Sequence, residues 1–255
     1  MGWTDRFSLQ GRKALVTGAS KGIGAEICAV FAEAGADIVA VARDEGGLAE
    51  VAEVVRGHGR RCLTIEAELA SADGPVQAAR QALAEWGTID ILVNNAAIAL
   101  IRPALELSPD DWDRTMAVNA RAPFLLAQAL APGMIAQAWG KIVNISSQTG
   151  VIAIDDHAAY AASKAALNGL TISLCAEWAR HNVQVNAICP TVILTPMGTK
   201  VWGDPAKGRP MLERTPARRF GETVEVADMA LYLASPASGL VNGAVMMIEG
   251  GYSVV

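Results

Sequence analysis

The sequence is short of the residues that build metal centres and disulfide frameworks. Its 255 residues include four cysteines, Cys28, Cys62, Cys175 and Cys189, and no two of them form a C-x-x-C pair. The three histidines, His58, His157 and His181, share no H-x-x-x-H or H-E-x-x-H spacing. No metal site is therefore expected, and the cysteines read as reduced, packed thiols. Runs of like charge are also missing, and a formal net charge of −5 argues against a nucleic-acid partner held by phosphate contacts. No stretch approaches the roughly 18 consecutive apolar residues of a membrane-spanning helix, so no membrane partner is expected. The opening MGWTDRFSLQGRK lacks the apolar core of an export signal, and the expected location is cytoplasmic. Two catalytic signatures are absent as well. No Gly-Lys-Ser/Thr follows the glycine-rich turn, which disfavours ATP hydrolysis, and no G-x-S-x-G elbow supports a hydrolase triad.

What is present is ample core material, with 52% hydrophobic and 18% charged residues. Seven β-rich runs recur at 13–17, 37–42, 62–67, 89–95, 141–146, 183–189 and 244–249. Most stay apolar for several residues rather than alternating, as strands buried on both faces do. Ala-rich helical stretches separate them; in IGAEICAVFAEAG, Ile23, Ile27, Val30/Phe31 and Ala34 fall at helical spacing, with Gly35 placed to end the helix. This alternation predicts an α/β fold, a parallel sheet with helices on both faces. No Pro-, Gly- or Ser-rich linker divides the chain, and residues 1–255 read as a single domain. Residues 190–221 break the alternation and hold several Pro and Gly; a segment this long inside a compact domain reads as a lid over a site.

Glycines stand at 18, 22 and 24 directly after the first strand, in KALVTGASKGIGAEI. Small residues there let a backbone approach a pyrophosphate at the positive end of the following helix. Further on, HAAYAASKAAL places Tyr160 and Lys164 one helical turn apart, hence on one side of the helix. A free tyrosine titrates near about 10, too high for a base at neutrality, and a nearby ammonium is expected to lower that value.

Together these segments resemble the short-chain dehydrogenase/reductase family over nearly the whole chain. TGASKGIG is similar to its cofactor turn, and NNAA (94–97) to its N-N-A-G segment, with Ala97 where Gly is usual. VNA (118–120) and ISS followed by Y-x-x-x-K resemble its active site. The resemblance implies a Rossmann fold with a seven-stranded parallel sheet and a catalytic group of Asn119, Ser147, Tyr160 and Lys164. In that scheme Tyr160 exchanges a proton with the substrate oxygen, Ser147 holds that oxygen, and Lys164 also binds the nicotinamide ribose. Asn119 anchors a water linking Lys164 to solvent. The cofactor positions implied are Gly18, Ser20, Lys21, Gly22, Ile23 and Gly24 in the turn, with Arg43, Glu68 and Leu69 around the adenosine. Asn95, Ala96, Pro190, Ile193 and Thr195 complete them, with Tyr160 and Lys164 at the nicotinamide end. The acidic position at the end of the second strand falls on Ala42, while Lys21 and Arg43 supply cations, so NADP(H) is expected over NAD(H).

Closer likeness points to the dicarbonyl/L-xylulose reductase branch and to bacterial polyol dehydrogenases. It assigns Gln148, His157 and Trp202 to the substrate pocket, beside Ser147, Tyr160 and the apolar wall of Ile154. An amide and an imidazole suit the hydroxyls of a small sugar or polyol. The expected function is hydride transfer between nicotinamide and a small ketone or secondary alcohol, such as a ketose, polyol or dicarbonyl. The alternative is a 3-oxoacyl thioester reductase, for which Arg209, Arg214, Arg218 and Arg219 would offer a basic docking surface. By family analogy a homotetramer is expected.

Overall fold

Seven short apolar runs form one parallel sheet in the computed structural model, which describes residues 2–255. The strands are β1 (Lys13–Thr17), β2 (Asp37–Ala42), β3 (Cys62–Glu66), β4 (Ile91–Asn94), β5 (Gly140–Ile145), β6 (Val183–Pro190) and β7 (Val245–Ile248). Their order is β3-β2-β1-β4-β5-β6-β7, so the order reverses between β1 and β4. Every neighbouring pair is parallel, with Leu15 of β1 facing Val39 of β2 and Leu92 of β4. This is a Rossmann-like arrangement.

The helices are α1 (Trp3–Phe7), α2 (Gly22–Glu33), α3 (Glu45–Gly57), α4 (Gly74–Trp86), α5 (Pro109–Met116), α6 (Ala122–Ala136), α7 (Ala158–Trp178), α8 (Pro196–Trp202), α9 (Pro205–Arg214) and α10 (Thr223–Ala234). Because side chains alternate along a strand, the central strands feed two cores, one on each face of the sheet. Ala14, Val16, Ile38 and Val93 pack with Ile27 and Phe31 of α2 and Val226 and Leu233 of α10. Leu15, Val39, Leu92 and Ile142 pack on the other side with Ala79 of α4, Leu126 and Leu130 of α6 and Leu174 of α7. That two-sided burial is why the strand runs in the sequence are continuous rather than alternating.

Between α5 and α6 the chain passes through a π-helical turn, Ala117–Arg121. Residues 190–221, which read as irregular in the sequence, contain α8 and α9, each opened by a side-chain cap. Thr195 Oγ1 accepts from Gly198 N at 3.0 Å, and Asp204 Oδ1 accepts from Ala206 N at 2.9 Å. The two ends of the segment are tied together, since Gly221 N donates to Val192 O at 3.0 Å and Leu194 N to Gly221 O at 2.9 Å. Its underside forms a small separate core of Val192, Met211 and Tyr252, against which Ile154 and Trp202 pack. Among the described residues no helix is long and apolar enough to cross a membrane.

Candidate active site

A cavity of about 570 Å³ opens at the carboxyl ends of β1, β2, β4, β5 and β6, across the point where the strand order reverses. Open α/β sheets bind ligands at this place. All the site residues expected from the sequence line it except Gly24 and Asn119.

The glycine turn forms one wall. Gly18 (φ +63°) and Gly22 (φ +59°) adopt left-handed conformations, and a Cβ on Gly18 would come within 2.8 Å of Ala96 Cα. Only glycine meets both demands without strain. Asn95 braces the turn by donating from Nδ2 to Thr17 O at 2.9 Å and Gly18 O at 3.2 Å. Thr17 Oγ1 in turn accepts the backbone N–H of Asn95 at 3.0 Å and of Ala96 at 3.1 Å. Gly24, expected at the cofactor, lies behind the turn instead, where a Cβ would meet Gly18 O at 2.3 Å; its smallness serves the packing of α2 on β1. The cradle and the open amino end of α2 suit a pyrophosphate.

At one end of the cavity stand Ala42, Arg43, Asp44, Glu68, Leu69 and Arg114. Ala42 is buried at the end of β2, and Asp44 caps α3, its Oδ1 accepting from Gly47 N at 3.2 Å. Arg43 Nη1 donates to Glu68 Oε2 at 3.1 Å, while Glu68 Oε1 accepts from Ala70 N at 2.9 Å. The Ala70 N–H and then the Arg43 guanidinium hold the Glu68 carboxyl below its ordinary value.

At the other end are Ser147, Tyr160 and Lys164. Ser147 Oγ accepts from Thr149 N at 3.2 Å and from Thr149 Oγ1 at 2.9 Å. Both lone pairs of Ser147 are thereby engaged, which leaves its O–H as a donor directed elsewhere. Lys164 is buried and donates from Nζ to Ile145 O at 2.7 Å, with Nζ 5.6 Å from the centre of the Tyr160 ring. The expected lowering of the Tyr160 pKa is not what the protein produces. Burial pushes it up to about 12, against a smaller opposing pull from the Ser147 hydroxyl. Burial also lowers Lys164 to about 8. Desolvation is the leading cause at both groups.

Asn119 sits in the π-helical turn, buried, off the cavity wall. Its Oδ1 accepts from Ile98 N at 2.9 Å, and its Nδ2 donates to Ile98 O at 2.9 Å and Ser163 Oγ at 3.0 Å. Both amide protons are thus used inside the protein, and the side chain ties the loop after β4 to α7.

Gln148, Ile154, His157 and Trp202 gather beside Tyr160. His157 is buried at the start of α7 with Nδ1 2.6 Å from Asp155 O. A carbonyl only accepts, so Nδ1 carries a proton in this contact; in the neutral tautomer that this selects, Nε2 presents a lone pair. The Trp202 ring stacks on His157 with centroids 6.2 Å apart and planes 19° apart. Gln148 Oε1 and Thr191 Oγ1 are buried with no hydrogen-bond partner, and both residues line the cavity. Such atoms call for a polar ligand. Sequence reasoning missed Thr17, Thr149 and Arg114. Thr149, two residues after Ser147, was open to recognition as a serine–threonine turn, whereas nothing near Arg114 in the sequence marked it.

A family model described as enoyl-(acyl carrier protein) reductase matches residues 18–253. The chain belongs to the short-chain dehydrogenase/reductase family. It is 42% identical over 97% of its length to a D-threitol dehydrogenase of Mycolicibacterium smegmatis, covering 95% of that protein. It is 40% identical to an NAD-dependent glycerol dehydrogenase of Listeria innocua, over 99% of this chain and 98% of the relative. It is also 40% identical to an L-xylulose reductase of Bos taurus, over 96% and 97% respectively. The crystal structure of a gluconate 5-dehydrogenase from Burkholderia cenocepacia J2315, in complex with NADP and tartrate, matches with a TM-score of 0.94 at 38% identity over 100% of both chains. The protein is accordingly an oxidoreductase of the dehydrogenase/reductase type.

Proposed function

We propose that the enzyme interconverts a small neutral polyol and its ketone, using a nicotinamide dinucleotide with NADP(H) favoured over NAD(H). The observation that carries this reading is the acceptor character of the substrate end. The unpartnered Gln148 Oε1 and the Nε2 lone pair of His157 both want hydrogen-bond donors, which hydroxyls supply and a carboxylate does not. Among the described residues, the cations that line the cavity other than Lys164 are Lys21, Arg43 and Arg114, at the cofactor end.

The nicotinamide, when bound, supplies or takes up the hydride. The turn residues Gly18, Ser20, Lys21, Gly22 and Ile23 would hold its diphosphate, and Arg43, Glu68 and Leu69 the adenosine. Asn95, Ala96, Pro190, Ile193, Thr195 and Lys164 would hold the nicotinamide half. Tyr160 carries the proton that goes to the substrate oxygen as its carbon is reduced, and takes it back as an alcohol is oxidised. Ser147, with its acceptor sites filled by Thr149, donates to the same oxygen. Asn119 acts on the site by fixing Ile98 and Ser163. Residues 190–221 serve as a lid, with Trp202 over His157 excluding water. Support for NADP(H) comes from Lys21, Arg43 and the apolar Ala42, and from a similar enzyme solved with NADP, although a similar glycerol dehydrogenase is NAD-dependent.

The thioester reading draws less support. The arginines that would dock a phosphorylated carrier are engaged within the chain: Arg209 with Glu213 at 3.4 Å, Arg214 over the Tyr252 ring, Arg218 with Glu213 O and Arg219 with Glu225. Initial rates of NADPH and NADH oxidation with L-xylulose, 5-keto-gluconate and an acetoacetyl thioester separate the cases. The neutral ketose is expected to turn over fastest, with the lower KM for NADPH. Preference for the keto acid overturns the acceptor-pocket assignment, and preference for the thioester returns the arginines to a docking role.

A further inference from the structure

We propose that Glu68 is a specificity-determining residue that competes with a 2′-phosphate for the Arg43 guanidinium and so weakens the preference for NADP(H). This rests on the dinucleotide reading above and concerns how strongly this chain discriminates.

Among the described residues, five charged side chains belong to that end of the cavity: Lys21, Arg43 and Arg114 against Asp44 and Glu68. Asp44 Oδ1 is held in the α3 cap by Gly47 N, which fixes that carboxylate at the start of α3 rather than at the end of β2. Ala42, where a carboxylate would otherwise select the unphosphorylated ribose, offers only a methyl group. The chain therefore lacks the usual device for NAD. Its device for NADP is compromised, because Arg43 Nη1 already faces Glu68 Oε2 at 3.1 Å. A phosphate approaching Arg43 must displace that carboxylate or share the guanidinium with it, and sharing brings two anions together.

The competitor is held in place. Glu68 Oε1 is fixed on Ala70 N at 2.9 Å, which leaves Oε2 turned to Arg43. The Arg43 and Glu68 side chains are 58% and 48% exposed, so water screens the pair and it opens at modest cost. The turn does not depend on the carboxylate charge. Ser71 Oγ donates to Glu68 O at 3.0 Å and accepts from Gly74 N at 2.9 Å, and a glutamine amide oxygen can still accept from Ala70 N. Glu68→Gln therefore removes the competitor and keeps the backbone.

Titration calorimetry of the purified enzyme with adenosine 2′,5′-bisphosphate and with adenosine 5′-monophosphate tests this without turnover. Glu68→Gln is expected to tighten the bisphosphate about three- to fivefold, leave the monophosphate within about twofold, and lose the difference at high salt. Arg43→Gln is expected to weaken the bisphosphate alone. No change in Glu68→Gln, or equal tightening of both nucleotides, overturns the competition while the Arg43 assignment stands. If Arg43→Gln leaves the bisphosphate unaffected, it is the 2′-phosphate reading itself that fails.

Discussion

The half-buried phenol of Tyr160 lies against the Ser147 hydroxyl, and its desolvation pushes the pKa up to about 12. Its protonated form therefore dominates at neutral pH. That form is ready to donate in ketone reduction, but the base needed for alcohol oxidation is scarce. Lys164, lowered by burial to about 8, keeps its ammonium below that value and loses it above. We expect kcat/KM for oxidation to climb with pH across the alkaline range, and reduction to fall on the alkaline side, as profiles in both directions would record. Tyr160→Phe should cost at least about 100-fold in kcat while dinucleotide binding is retained. A flat oxidation profile from about pH 7 to 10 would remove Tyr160 from the proton-transfer role. The one-turn spacing of Tyr160 and Lys164 was legible in the sequence because helical geometry is local. Their proton affinities were not, because desolvation depends on what the fold places around them.

At the scale of the element, α10 shows a cap assembled from both sides of its first turn. Glu225 accepts from Glu222 N at 2.9 Å and from both guanidinium nitrogens of Arg219, at 2.8 and 2.5 Å. The Arg219 guanidinium and the Glu222 N–H hold the Glu225 carboxyl down to about 2. A carboxyl depressed in the folded state stabilises above its unfolded value of 4.5, and that contribution is lost as pH falls towards about 2. With side chains 60% and 35% exposed, solvent screening limits the gain. Glu225→Gln should destabilise by about 0.5 kcal/mol at neutral pH, and the difference should close in acid, as thermal melts at pH 7 and about pH 2 would reveal. The same scale exposes what sequence reading could not reach in 190–221. Its Pro and Gly marked an exception to the strand–helix alternation, yet Thr195 and Asp204 cap two short helices there, α8 and α9.

For the whole molecule, Lys141 of β5 carries a cost of buried charge that lies outside the cavity. Its side chain is 1% exposed, and Nζ donates to Ser238 Oγ at 3.0 Å. Burial first, and the Arg12 charge second, lower its pKa from 10.5 to about 8. A base depressed on folding binds its proton more tightly in the unfolded chain, so stability rises with pH between about 8 and 10.5. Lys141→Met should raise Tm by about 3 °C at neutral pH, with the gain shrinking towards pH 10. A lowered Tm would mean that the Ser238 hydrogen bond outweighs the desolvation.

The sequence alone determined the parallel α/β sheet, with strand limits within two residues of the seven observed, because unbroken apolar runs between helices have no other way to bury both faces. It also determined the glycine turn and the family, since those signals sit in contiguous residues. Only the tertiary structure decided that Gly24 backs the turn, that the Asn119 amide is committed to Ile98 and Ser163, and that Glu68 faces Arg43. The Asn119 and Glu68 contacts join segments 21 or more residues apart in the chain. Such contacts exist only once the sheet order has brought the ends of its strands to one rim.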